Sequence, residues 1–270
     1  MKTPPPAEDH PAIAAPPPLE VRDKRFPLFV GMVLAALALG LKSELLGADQ
    51  VWGTAALVGL LAVPALYGYM SVSDRRPSIE NFIPVALGVL VIAGLAQIVQ
   101  VWWQFGIAAV CFGFGFFVTA QLDYVTLVHH QKPGHLVVEE AILAIALSVS
   151  FLVVLTVHFA LAGELGLIFL ISLLGAFRSF RVHGVALSPR RALLFAVFVA
   201  QLVTFFAWAM TVYLIFNQGV FAVMLFLLWY VNRGIIRHTV DETLTKNVLV
   251  EYLLFVLLIA YLFFVSYQTR

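Results

Sequence analysis

The stretch LGLIFLISLLGAFRSFRVHGVALSPRR, residues 165–191, decides how this chain is organised. Its apolar part, Leu165–Phe180, is short for a bilayer crossing, which takes about 20 apolar residues through a hydrocarbon core of about 30 Å. Arg178 interrupts its end, and Arg181, Arg190 and Arg191 follow. If this run crosses, these four arginines join Lys2, Arg22, Lys24, Arg25, Arg75, Arg76, Lys132, Arg233, Arg237 and Lys246 on one side of the membrane. Of the sixteen Lys and Arg residues, only Lys42 and Arg270 then lie opposite. If it does not cross, the four arginines move to the wrong side. Cytoplasmic loops retain Lys and Arg, so the sorting predicts that the run spans, with the N-terminus inside and the C-terminus outside.

Outward from this run, eight others complete the pattern: Phe26–Leu41, Val51–Met70, Phe82–Trp103, Phe105–Leu122, Leu136–Ala162, Ala192–Phe216, Val220–Ile236 and Val248–Tyr267. The expected fold is all-α, a polytopic helical membrane protein of about nine transmembrane helices arranged as four hairpins plus a final helix. Residues 26–270 form its single transmembrane domain. The sixth and eighth runs are the short ones, and they require Arg178 and Arg233 to snorkel toward the headgroups. Residues 1–25 carry seven prolines among Ala, Glu and Asp and lack apolar surface to offset chain entropy, so a disordered cytoplasmic tail is expected there.

Composition agrees. Hydrophobic residues make up 62% and charged residues 11% of the chain, with a mean hydropathy of +0.98, whereas about a quarter of a soluble domain is charged. The expected partners are the lipid bilayer and a membrane-protein partner or homo-oligomer, with no nucleic acid. The lone Cys111 excludes an intrachain disulfide and a cysteine metal cage. No cofactor motif is present, neither a phosphate-binding glycine loop nor a nucleophile elbow.

Polar groups inside apolar spans are costly and therefore become candidates for function. Gln97, Gln100 and Gln104 at i, i+3 and i+7 predict one stripe on the third helix, and Gln201 and Thr204 lie on a comparable stripe of the seventh. Either stripe can wall a polar pathway or glue helices together by hydrogen bonds. Asp123 closes the fourth run. Glu139 and Glu140 open the fifth and Glu251 opens the ninth, where helix N-termini favour negative charge. Arg178, Arg181, Arg233 and Arg237 lie at the same depth, so ion pairing is the expected role, with a proton relay and catalysis as alternatives. His135 and Glu139, four apart, and His238 with Asp241 or Glu242 are the weak metal candidates, although the first pair straddles a Pro-Gly turn and a helix start. His129, His130 and His183 share that face, and His158 lies within a span.

Hairpins recur at a spacing of about 55 residues, which pairs Arg178 with Arg233 and His183 with His238. This hints at duplication, though two apolar helices with short loops recur at that length without common origin. The segment Lys246–Asn247–Val248–Leu249–Val250–Glu251–Tyr252, a basic start followed by Val-Glu-Tyr, resembles an uncharacterised family of polytopic bacterial membrane proteins across the C-terminal third. The resemblance implies a membrane location and brings no catalytic residue. The functional expectation is a scaffold or accessory subunit of the bacterial cytoplasmic membrane. The alternatives are a proton-coupled secondary transporter and a membrane enzyme acting on lipid-linked substrate.

Overall fold

The computed structural model describes residues 25–42, 48–71, 77–128, 133–157, 159–182, 187–213 and 217–268. Residues 1–24, His129, His130, His158 and His183 lie outside these. Among the described residues the chain is all-helical: α1 Arg25–Gly40, α2 Ala48–Met70, a 3-10 turn Ile79–Phe82 running into α3 Ile83–Ile98, α4 Trp102–Val128, α5 Pro133–Thr156, α6 Leu161–Val182, α7 Pro189–Tyr213, α8 Gln218–Val240 and α9 Lys246–Gln268. Eight of these segments are long and apolar enough to cross a membrane. The sixth and eighth are among them, at 22 and 23 residues; α3, also 16 residues, reaches 20 with the 3-10 turn before it, and the segment left short is α1 at 16.

Several boundaries differ from those expected. α3 stops at Ile98 and the two tryptophans start α4, so the third run does not continue to Trp103. α5 begins at Pro133, because proline at the first helical position sacrifices only an N–H that has no intrahelical partner there. α5 ends at Thr156 and α6 starts at Leu161, so the fifth run does not continue to Ala162, and Ala162–Glu164 falls in the first turn of α6. Asn217 caps α8, its Oδ1 accepting from the Gly219 and Val220 N–H groups at 2.9 and 3.4 Å.

The helices pack as two groups of four with the same neighbour order. α1 lies against α2 and α4, with α3 between those two; α5 lies against α6 and α8, with α7 between those two. The first group holds two buried clusters, one around Leu34, Leu66 and Phe116 and one around Ala38, Ile92 and Phe105. The second is centred on Leu147, Phe151, Ile168, Val203 and Trp229. α3 joins the groups by packing on α5, and α9 packs on α8. Apolar side chains gain little by leaving hydrocarbon for a protein interior, so close backbone approach and polar bonds must hold such a bundle. Gly113 of α4 faces Gly31 of α1 with backbone against backbone, and a Cβ on either would run into the other's carbonyl oxygen. Gly94 accommodates Val153 between α3 and α5, and Gly234 accommodates the Tyr252 ring between α8 and α9.

Candidate functional site

Charge concentrates where α4, α6 and α8 end and α3 and α5 begin, and helix-to-helix ion pairs organise it. Arg178, in the last turns of α6, is 2% exposed. Its Nη2 donates to Asp123 Oδ1 on α4 at 2.9 Å and its Nη1 to the Glu80 carbonyl at 2.6 Å. One turn on, Arg181 grips the Glu80 carboxylate with Nε and Nη2 at 3.2 and 3.0 Å, and its Nη1 reaches the Leu187 carbonyl before α7. One knot thus ties α4, the turn before α3, α6 and the approach to α7. Ser78 and Asn81 shape that turn, the Asn81 Oδ1 accepting from the Ser78 N–H at 3.0 Å.

A second knot ties α5 to α8. Glu140 Oε1 accepts from Arg233 Nη2 at 2.8 Å and Arg237 Nη1 at 2.7 Å. Arg233 also lies 5.6 and 5.7 Å from the ring centroids of Trp229 and Tyr230, cation–π range for a guanidinium. The Trp229 indole in turn donates to the Ser172 carbonyl of α6 at 3.1 Å. Between the knots sits Glu139, 4% exposed and near enough to feel Asp123, Arg178 and Glu140 electrostatically.

The structure therefore brings together Asp123, Glu139, Glu140, Arg178, Arg181, Arg233 and Arg237, with four corrections. Arg178 and Arg233 do not snorkel to a surface; both are buried and paired, Arg233 at 5% exposure. Glu139 and Glu140 do not open α5, since the early start at Pro133 puts them in its second turn, and Glu251 likewise lies beyond the first turn of α9, exposed beside Tyr230. Gln97, Gln100 and Gln104 share no stripe, because Gln97 is in α3, Gln100 in the following link and Gln104 in α4. Gln201 is exposed on α7 and joins no core, while the Thr204 hydroxyl is buried.

His135 and Glu139 do share α5, on one face, yet among the described residues no three His, Cys, Asp or Glu side chains converge on a metal-sized site. The His238 Nδ1 contacts the Thr243 hydroxyl at 2.8 Å, and its ring centroid lies 6.0 Å from that of Tyr252.

Sequence reading passed over Glu80. The turn that carries it precedes Pro84 at the start of α3, and Ser78 with Asn81 three residues on was the available sign of an ordered helix start.

Beside the knots lies a crevice of about 590 Å³ between α3, α4 and α5. Its walls are apolar along their length, and its polar end is made by Glu139 and Arg178. Fold and site together define a class, a polytopic bundle of membrane-length apolar helices braced at one end by interhelical ion pairs. No protein-family profile, curated protein or solved structure matches the chain.

Proposed function

We propose that this chain is a multi-pass protein of the bacterial cytoplasmic membrane that acts without chemistry, as a scaffold or accessory subunit packing against lipid or a membrane partner. In this reading it crosses nine times, as four hairpins and a final helix, with the start of α1 inside and the end of α9 outside. The sidedness of all Lys and Arg residues but Lys42 and Arg270 supports that orientation.

One observation carries the reading. Arg178, Arg181, Arg233 and Arg237 engage Asp123, Glu80 and Glu140 across α4, the turn before α3, α5, α6 and α8. Such groups fix helix register, as buried polar groups do where they specify one packing over others. α9 adds a second support: its Leu253, Leu254, Leu257 and Leu258 are exposed, a broad apolar face for lipid or a partner.

A proton-coupled transporter is the second reading, favoured by Glu139, a buried carboxylate on a crevice wall beside Asp123. Purified protein in liposomes under a pH gradient separates the two. Replacing Glu139 and Glu140 together with Gln lowers detergent stability and yield in the scaffold reading, with no proton-driven uptake to lose. Uptake by the wild-type chain that vanishes in this variant overturns it.

A further inference from the structure

The crevice between α3, α4 and α5 has the dimensions and the chemistry of a site for one lipid chain. Along α4 its wall runs from Ala108 to Ala120, twelve steps at about 1.5 Å each, or about 18 Å. That is close to the depth of one leaflet, half of a hydrocarbon core of about 30 Å. All three walls belong to segments long and apolar enough to span, so the mouth opens toward hydrocarbon. Phe114 of α4 and Ile145 of α5 line it and are 62% and 65% exposed. Its volume falls within the roughly 300–1,000 Å³ of small-ligand sites, and an apolar cavity of this kind stays dry. Hydrocarbon is what surrounds it and what fits it.

The end of the crevice specifies the rest of the ligand. There the Arg178 guanidinium, already bonded to Asp123, and the Glu139 carboxylate both line the crevice, each almost fully buried. Both signs of charge meet at the end nearer the ion-pair knots, which complements a headgroup carrying a phosphate and an ammonium. A free fatty acid or a neutral terpenoid brings one sign or none. Gly115 points into the same space, since nothing lies within 4 Å of where its Cβ would be, whereas Gly88 on the facing wall is already closed off by Phe112 at 2.7 Å.

We infer that the α3–α4–α5 crevice holds one acyl chain of a zwitterionic phospholipid from the leaflet at the ion-pair end, its headgroup beside Arg178 and Glu139. The site is distinct from the annular lipid on α9, because three helices enclose the chain. It makes a bound lipid part of the joint where α3 and α5 connect the two four-helix groups. The inference rests on the membrane-spanning reading above and goes beyond it by naming a ligand.

The test uses the full chain in vesicles of phosphatidylethanolamine and phosphatidylglycerol, with a trace of phosphatidylethanolamine bearing a photoreactive diazirine on one acyl chain. After irradiation, adducts are mapped by peptide mass spectrometry. The expected result is crevice adducts, on Cys111–Gly115 and Ile142–Val149, denser than those on the more exposed Leu253–Leu258 of α9. Gly115→Phe fills the crevice and lowers those adducts by about tenfold while leaving α9 labelling unchanged. If Gly115→Phe alters elution or α9 labelling, Ala146→Leu on the facing wall takes its place with the same expectation.

Labelling in proportion to exposure, crevice adducts that persist in a folded blocked variant, or equal crevice labelling by a phosphatidylglycerol probe overturns the inference. Adducts on α9 alone defeat this inference and leave the membrane reading standing. Absence of adducts from both faces defeats both.

Discussion

Removing one partner of the Asp123–Arg178 pair should destabilise the protein far more than a typical bond within a membrane bundle. Both side chains are 2% exposed, and the Nη2–Oδ1 distance is 2.9 Å. In Asp123→Leu the guanidinium stays in a buried interior, having lost its carboxylate partner and keeping its bond to the Glu80 carbonyl. Leaving one member of a buried pair uncompensated costs about 3–5 kcal/mol, whereas replacing both members by apolar groups is often near neutral. An ordinary interhelical hydrogen bond in a bundle contributes only about 0.6 kcal/mol. Asp123→Leu and Arg178→Leu should therefore each cost about 3 kcal/mol or more, and the double variant should recover most of that loss. Unfolding in mixed micelles with increasing SDS, followed by circular dichroism, gives all four corners of the double-mutant cycle. Single losses below about 1 kcal/mol, or a double variant whose loss is the sum of the singles, would refute the idea that this pair sets the helix register.

The other expectations are more local. Gly113→Val forces apart the α1–α4 contact at Gly31 and should cost at least the roughly 1–3 kcal/mol of an overpacked core, whereas Gly115→Ala, which meets open space, should be near neutral in the same SDS titration. Glu140→Gln removes the carboxylate shared by Arg233 and Arg237; because Glu140 is 33% exposed the loss should be about 1–3 kcal/mol, smaller than at Asp123, and should be absent when Arg233→Met and Arg237→Met are already present. Trp229→Phe forfeits the indole bond to the Ser172 carbonyl and should cost about 1 kcal/mol on the same scale, with no change in helix content.

What the sequence disclosed follows from what its patterns encode. Long apolar runs and the clustering of arginines at their ends report helix length and which ends go together, so the helices and the meeting of Asp123, Glu140, Arg178 and Arg233 at one end of the bundle were legible. Partnership was not: nothing in a run of Leu, Val and Phe says that α4 will meet α6 through Asp123 while α5 meets α8 through Glu140. The lost glutamine stripe has a similar cause. Val99 and Val101 flank Gln100 with no Gly or Pro to mark a stop, so the sequence reads through a break that the structure places after Ile98, where Val99 is extended. Pro133-Gly134 misled in the opposite direction, since a proline that often marks a turn here begins a helix and moves Glu139 and Glu140 into its second turn. The crevice was invisible for a simpler reason: its walls are apolar residues that look identical whether they face a neighbour, a lipid chain or a void.

Compartment labelling at the two ends of the bundle tests the central claim most directly. In a Cys111→Ala background, single cysteines at Thr3, Thr243 and Gln268 are exposed to a membrane-impermeant maleimide, first on intact cells and then after permeabilisation. Nine crossings predict that the Gln268 position reacts in intact cells and that the Thr3 and Thr243 positions react only once the membrane is opened. Equal protection or equal reactivity of Thr3 and Gln268 contradicts the account.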